Sequence, residues 1–205
     1  MAESQGSAAR LLEVALAEEG YIEGPKDNET KYGKFTGSNF QPWCGSFVMW
    51  CADMAGVKMP NTVYTPAGAQ AFIKAGAWQK AEEATPMPGD IAYFDFPSDG
   101  IDRISHVGIV VKDNGDGTVT CIEGNTTKAK KGDQRNGGEV CIQIRAYKKK
   151  NGSKALPSKP VTVVGFGRPA FGKAVPSKIA AAKAAKKEGA AKPAKKTAKK
   201  ASKKK

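Results

Sequence analysis

The chain has 205 residues, of which 40% are hydrophobic, with 23 glycines and 12 prolines, so one globular domain with an additional unstructured segment is expected. Its formal net charge is +13, but residues 173–205 contain thirteen lysines and one glutamate, a net charge of +12. The first 172 residues are therefore nearly neutral, at +1, which argues against a nucleic-acid-binding fold and confines the basic character to the C-terminal segment.

Cysteine spacing and the N-terminal sequence exclude several further classes. The four cysteines contain no CxxC pair and accompany a single histidine, so neither an ordinary zinc site nor a thioredoxin-type motif is expected. The N-terminus lacks a basic region followed by a long apolar run, which argues against a signal peptide. No run approaches about 18 apolar residues, so membrane insertion is not expected. We expect synthesis in a cytoplasm, with reduced thiols.

Helices are predicted in the first half of the chain. Apolar residues recur at helical spacing behind Ser7, a candidate N-cap, until Gly20 ends the run. A segment rich in Gly, Pro, Asn and Lys follows and is predicted to be a loop, and the apolar pattern resumes at Cys44. The predicted helices span residues 8–19, 44–56 and 67–75.

Strands are predicted in the second half, as short runs of β-branched and aromatic residues separated by Gly, Pro and Asn. Most connections are too short for crossover helices, so an antiparallel sheet is expected. The fold class is α+β, with N-terminal helices packed on an antiparallel sheet. The predicted strands span residues 90–96, 105–113, 118–124, 140–147 and 161–169.

The predicted domain covers residues 1–171, and residues 172–205 form a separate tail. The tail is low-complexity Lys and Ala with scattered Pro. It has too few large apolar side chains to offset the entropy cost of ordering, so a disordered basic tail is expected.

Cys44 is the candidate nucleophile, because it follows Pro42-Trp43 at the start of the second predicted helix. A helix N-terminus presents unpaired backbone amides and the positive end of the helix dipole, which favour a thiolate. Most cysteines are instead buried apolar residues. That role is expected for the other three cysteines, which lie inside apolar patterns: Cys51, Cys121 and Cys141.

His106 is the only histidine and hence the candidate partner of a cysteine nucleophile. The segment SHVGIVVKDNGDGTVTCIEGN is two strand-like runs around a turn sequence, which predicts a β-hairpin. A two-residue turn places His106 opposite Glu123, whereas a four-residue loop places it opposite Asn125. In both registers the three side chains share one face, so either Glu123 or Asn125 could orient the imidazole.

Four segments, in this order, resemble the CHAP amidase/peptidase family of papain-like cysteine hydrolases. KYGKFTG followed by QPWCGSFVMWCADMAG is similar to the family's nucleophile segment, and PMPGDIAYFDF to its Pro-Gly-Asp segment. SHVGIVV is similar to its histidine strand, and CIEGN to the motif of its third catalytic residue. The resemblance covers about residues 8–169 and implies a papain-like CHAP fold.

The resemblance also implies roles for individual residues. Cys44 would be the nucleophile, His106 the general base and then acid, and Glu123 the orienting residue, with Asn125 at a position where related enzymes use asparagine. Gln41 could donate to an oxyanion, although its spacing differs from that in papain. Some members bind calcium before the nucleophile, but PKDNETKYGK has two acidic residues and three lysines here. Neither a metal nor a cofactor is expected.

The implied function is hydrolysis of peptidoglycan by a phage endolysin, either as an N-acetylmuramoyl-L-alanine amidase or as a stem or cross-bridge endopeptidase. The expected partners are peptidoglycan and, through the Lys-rich tail, anionic wall polymers; a monomer is expected. Such a lysin would accumulate in the host cytoplasm and act at the wall after release, or be carried by the virion. The alternatives are a DNA-binding or DNA-compacting protein acting through a histone-H1-like tail, and an inactive CHAP-fold scaffold.

Overall fold

The structure, a computed structural model, describes residues 4–96, 100, 102–129, 133–147 and 161–178. Within these ranges it confirms the α+β class, with helices preceding an antiparallel sheet. The helices are α1 (Ala8–Leu16), α2 (Lys31–Thr36), α3 (Cys44–Met54) and α4 (Thr65–Lys74). The strands are β1 (Trp78–Lys80), β2 (Ile91–Phe94), β3 (His106–Asp113), β4 (Thr118–Thr126), β5 (Glu139–Ala146) and β6 (Val163–Gly167).

The strands form one sheet in the order β1-β6-β2-β3-β4-β5, and every neighbouring pair is antiparallel. All five predicted strands are present. The additional strand β1 was not predicted, because its three residues are too few to show an alternating pattern. It lies at the edge of the sheet, where it pairs with β6 through Trp78 and Gly167.

The first helix begins as predicted, since the Ser7 side chain accepts a hydrogen bond from the Arg10 amide at 3.0 Å. The prediction of a loop before Cys44 was wrong over residues 31–36, where α2 forms. This helix is short, but both of its ends carry capping signals: Thr30 accepts from the Gly33 amide, and Gly37 takes a left-handed conformation with φ 74°.

Helix α3 packs directly on β3 and β4. It comes closest to the sheet at Gly124, which contacts both Phe47 and Trp43. A Cβ atom at Gly124 of β4 would lie 2.6 Å from Cβ of Phe47 and 2.7 Å from the Trp43 ring. Only glycine therefore permits this approach. Phe47 and Trp43 flank the first turn of α3. The contact therefore places the start of the helix, and with it Cys44, against the end of the β3–β4 hairpin that carries His106 and Glu123.

The first residues of the predicted tail belong to the ordered domain. The Gly172 amide donates to the Gly6 carbonyl at 3.0 Å, and the Val175 amide to the Gly56 carbonyl at 2.9 Å. Ser177 donates its hydroxyl to Asp53 at 2.8 Å, at the C-terminal end of α3. The ordered chain thus continues beyond the predicted boundary at residue 171. Residues 179–205 lie outside the described ranges, and their disorder stays a prediction.

Candidate active site

Cys44 is the first residue of α3. The N-cap residue, Trp43, makes no side-chain hydrogen bond to the helix start, so no side chain of the N-cap occupies the amides of the first turn. Trp43 is fully buried; its indole nitrogen donates to Glu23 at 2.9 Å, and its ring stacks on Tyr32 at 5.3 Å. These contacts fix the position of the helix start, and hence of the Cys44 thiol.

His106 is the first residue of β3 and is fully buried. Its Nε2 atom lies 3.0 Å from Oε2 of Glu123. Because an ionised carboxylate only accepts, Nε2 is the donor in this bond. Nδ1 has no partner with the distance and angle of a regular hydrogen bond among the described residues, but the ring is close enough to the Cys44 side chain for a weaker hydrogen-bonding and electrostatic interaction that raises the pKa of His106. The pair with Glu123 therefore leaves Nδ1 as the ring nitrogen available to the thiol.

The surroundings favour the charged forms of both His106 and Glu123. Burial disfavours the imidazolium, but interactions with Cys44 and then with Glu123 outweigh it and raise the pKa of His106 from 6.5 to about 9. Burial likewise disfavours the carboxylate, but Arg145 and then His106 outweigh it and lower the pKa of Glu123 from 4.5 to about 2. An imidazolium and a carboxylate are thus paired at neutral pH.

Arg145 of β5 completes this buried group and was not among the predicted site residues. Its Nε donates to Oε1 of Glu123 at 2.8 Å and its Nη2 to Oε2 at 2.5 Å. The guanidinium also lies over the rings of Phe94 and Phe96, at 5.6 and 5.1 Å. A sequence signal existed: in VCIQIRAY the arginine falls on the same side of the strand as Cys141, a position typical of a buried residue that needs an acidic partner.

The hairpin register explains how Glu123 reaches His106. Ile109 pairs with Ile122, which is the register of the four-residue loop, but a bulge between Val110 and Lys112 shifts the pairing nearer the turn. Neither predicted register therefore holds along the whole hairpin. Around the site, Glu123 lies beside Gly108, where a Cβ atom would be 2.6 Å from its Cγ. The absent side chain at residue 108 gives the carboxylate room to extend to His106.

Asn125 makes its hydrogen bonds with residues other than His106, and the backbone around it departs from the regular alternation that predicted a face shared with His106 and Glu123. The β4–β5 register shifts after Glu123, and Asn125 has a left-handed backbone with φ 58°. Its amide nitrogen donates to Asn136 at 3.1 Å and to Asn28 at 3.3 Å. This irregularity interrupts the period-two alternation, and the Asn125 side chain joins the loop of Asn28 to the β4–β5 loop without a hydrogen bond to His106.

Cys44 borders an open cleft of about 480 Å³. The walls come from the α2–α3 loop, the start of α4, the segment before β3 and the β4–β5 loop. Gln41 lines the cleft three residues before Cys44 and is exposed, which places it on the same side as the thiol. Tyr64, 64% exposed, presents an aromatic surface, and Arg103 and Arg135 bring positive charge. The cleft can therefore admit a polar, extended substrate.

The family model for the CHAP domain matches residues 36–125. This segment belongs to the CHAP family. It includes Cys44, His106 and Glu123, whereas Arg145 lies beyond the match. The family assignment supports a hydrolase of the type that acts on peptidoglycan.

One solved structure similar to the chain is a protein of the NLP/P60 family, described as similar to lipoprotein, from Staphylococcus aureus subsp. aureus Mu50. The two chains are 16% identical, with a TM-score of 0.42. The comparison covers 84% of this chain and 44% of that one, so the chain spans less than half the length of the staphylococcal protein. No curated protein matches the chain.

The other cysteines of the CHAP segment and of β5 are fully buried thiols. Burial raises the pKa of Cys51 and Cys121 well above the ordinary value. It also raises the pKa of Cys141 to about 12. None of these three cysteines lines the cleft, whereas Cys44 does. They fit the structural role expected for them from the sequence.

Acidic residues before Cys44 are engaged with neighbouring side chains. Glu29 forms an ion pair with Lys34 at 3.0 Å, and Asp27 accepts a hydrogen bond from Asn28 at 2.9 Å. Within the described ranges, no three or more His, Cys, Asp or Glu side chains are grouped to hold a metal ion. No helix in the same ranges is long and apolar enough to cross a bilayer.

Proposed function

We propose that the protein is a peptidoglycan hydrolase that uses Cys44 as a nucleophile to cleave an amide bond of the bacterial cell wall. One observation carries the proposal: Cys44 stands at an uncapped helix start, beside the buried His106–Glu123 pair, and borders an open cleft. Burying an imidazole and a carboxylate costs free energy that their pairing must offset, and buried ionisable groups with shifted pKa values beside a cleft are typical of active sites. The CHAP match supports the same reaction class.

In the first half of the proposed reaction, the Cys44 thiolate attacks the carbonyl carbon of the scissile amide. Backbone amides in the first turn of α3 stabilise the oxyanion that forms, and Gln41 is positioned along the cleft to add a donor. His106 carries a proton at neutral pH, since its pKa is raised to about 9. It gives that proton to the leaving amine as the C–N bond breaks, and a thioester on Cys44 results.

In the second half, neutral His106 takes a proton from a water molecule, which attacks the thioester carbonyl. The C–S bond breaks, the carboxylic acid product leaves, and Cys44 returns to the thiolate beside a protonated imidazole. Glu123 holds Nε2 throughout, so the same nitrogen, Nδ1, exchanges protons in both halves. The reaction consumes only water, and no cofactor enters it.

Two amide bonds fit this chemistry: the bond between muramic acid and L-alanine, and a peptide bond of the stem or cross-bridge. Wall stem peptides carry free carboxylates, and Arg103 and Arg135 beside the cleft suit a substrate with negative charge. We propose a phage lysin as the biological role, acting at the wall after release from the host cytoplasm or from a virion.

The Lys-rich tail is proposed to hold the monomeric enzyme on anionic wall polymers. A net charge of +12 within residues 173–205 favours any polyanion, so DNA binding is the second candidate function of this segment. The last described residues before the Lys-rich segment bind Asp53, near the C-terminal end of α3, whereas Cys44 lies at the N-terminal end of the same helix.

The test compares wild type with Cys44→Ala on purified cell walls. Turbidity measures wall clearance, and mass spectrometry of the products identifies the bond: an amidase frees intact stem peptides from glycan, whereas an endopeptidase leaves peptide on muramic acid. The wild type should clear walls and the variant should not, while Cys121→Ser controls for loss of a buried thiol. A wild type that releases no product would overturn the proposal and favour an inactive scaffold or a DNA-binding protein.

A further inference from the structure

The Glu123 carboxylate binds two cationic side chains at once. Oε2 accepts from both His106 Nε2 and Arg145 Nη2, and Oε1 accepts from Arg145 Nε. Arg145 is only 8% exposed, and Thr126 accepts a further bond from its Nη2 at 3.4 Å. A two-pronged contact fixes the plane of a carboxylate, which a single bond to histidine cannot do. Arg145 therefore fixes the orientation of the carboxylate that binds His106.

The charges of this group balance when the site is ready to react. A Cys44 thiolate and the Glu123 carboxylate are negative, and the His106 imidazolium and the Arg145 guanidinium are positive. Without Arg145 the buried group would carry one net negative charge. Such a group takes up a proton more readily, and the thiolate is the member that would lose its charge by doing so.

We infer that Arg145 is a positioning residue for the pair formed by Cys44 and His106. Arg145 acts on this pair through Glu123 and keeps the Cys44 thiolate available at neutral pH. The inference rests on the proposed function, because it assigns Arg145 a role in that reaction. Arg145 comes from β5, outside the segment matched by the CHAP model, so the charge balance of the site depends on a strand beyond the matched region.

The remaining titratable groups around Arg145 do not disturb this balance. Cys121 of β4 and Cys141 of β5 face the Glu123–Arg145 pair, and burial raises the pKa of both thiols. They are neutral between pH 6 and 9 as a result. The aromatic side chains against the guanidinium, Phe94 and Phe96, do not titrate. Among the described neighbours, the buried charges are thus those of the four reacting and positioning groups. The charged residues that line the cleft with Cys44, which are Arg103, Asp133 and Arg135, are exposed or half-buried and are the same in every variant compared.

The experiment measures the rate of Cys44 alkylation by iodoacetamide against pH in the full chain, which requires no wall substrate. Arg145→Met should move the midpoint of the rate profile to higher pH by about one unit, whereas Arg145→Lys, which keeps the charge, should move it much less. The control is Arg168→Met, because Arg168 forms a similar two-pronged pair with Asp90 at 2.8 Å elsewhere in the domain. This variant should leave the midpoint unchanged.

If Arg145→Met does not fold, the same comparison is made with Arg145→Gln, which removes the charge but keeps a hydrogen-bond donor for Glu123. This variant should again have a more alkaline midpoint than the wild type. Equal midpoints with and without the Arg145 charge, in whichever variant folds, would overturn the inference. A chain that clears no wall but shows the Arg145-dependent midpoint would instead contradict the proposed function and leave the charge coupling standing.

Discussion

Gly108 of β3 lies beside Glu123 of β4, and a Cβ atom at residue 108 would be 2.6 Å from Cγ of Glu123 and 3.2 Å from the Ile122 carbonyl oxygen. The smallest residue thus makes room for the carboxylate that orients His106. Any side chain at this position must displace Glu123, the backbone of β4, or both.

Gly108→Ala is therefore expected to reduce wall hydrolysis by tenfold or more while costing about 1–3 kcal/mol of unfolding free energy. The loss of activity should exceed what the unfolded fraction explains, since the carboxylate moves away from Nε2. Hydrolysis rates and urea unfolding curves of the same samples check this. Gly24→Ala is the control, because its Cβ atom would meet Glu29 at 3.2 Å, away from the cleft. Activity of Gly108→Ala equal to that of the control would contradict the account.

Glu123 and Asn125 should respond differently to substitution. Glu123→Gln removes the charge that stabilises the imidazolium and should lower the hydrolysis rate by at least a hundredfold. Asn125→Gly keeps the left-handed backbone but loses the bonds to Asn28 and Asn136, so it should lower thermal stability and change the rate less than tenfold. Measured rates that rank the two variants in the opposite order would assign the orienting role to Asn125 instead of Glu123.

The single histidine allows a direct titration by NMR, because only one imidazole signal is expected. Its midpoint should lie near pH 9 in the wild type and lower in Cys44→Ser, since the interaction with Cys44 helps to raise the pKa. The folded-state pKa exceeds the unfolded value of 6.5. The free energy of unfolding should therefore decrease as pH rises from about 6.5 to about 9. An imidazole that titrates below 6.5 in the wild type would contradict the charged pair.

The tail can be separated from the domain at a point that the structure defines. Truncation after Lys178 keeps the bonds of Ser177 and Lys178 to Asp53, so the shortened protein should fold and cleave soluble muropeptides at the wild-type rate. It should bind intact walls more weakly, and the full-length protein should lose the same advantage as salt is raised. Unchanged wall binding at low salt would contradict tail anchoring, and preference of the full-length protein for DNA over wall polymer would favour the DNA-binding alternative.

Much of this site could be predicted because its parts are encoded locally. Helical spacing after Cys44 and the alternating hairpin around NGDG placed the thiol at a helix start and His106 near Glu123. The contact of Arg145 with Glu123 depends instead on the pairing of β5 with β4, which no local pattern specifies. The left-handed backbone of Asn125, whose side chain bonds Asn28 in a distant loop, is likewise not specified by a local pattern.

The same distinction applies to the fold. Strong periodicity predicted five of the strands, but α2 and β1 have too few residues to establish a period. The docking of residues 172–178 was not predicted, because a Lys- and Ala-rich composition indicates disorder while bonds to Asp53 and Gly56 hold this part in place.

The central claim is that the Cys44 thiol performs the hydrolysis, and chemical modification tests it most directly. The protein is treated with limiting iodoacetamide, the labelled fraction of each cysteine is measured by mass spectrometry, and wall hydrolysis is assayed on the same samples. Cys44 should be labelled far faster than the buried thiols of Cys51, Cys121 and Cys141, and the fraction of activity lost should equal the labelled fraction of Cys44. Full hydrolytic activity in samples whose Cys44 is completely alkylated would contradict the account.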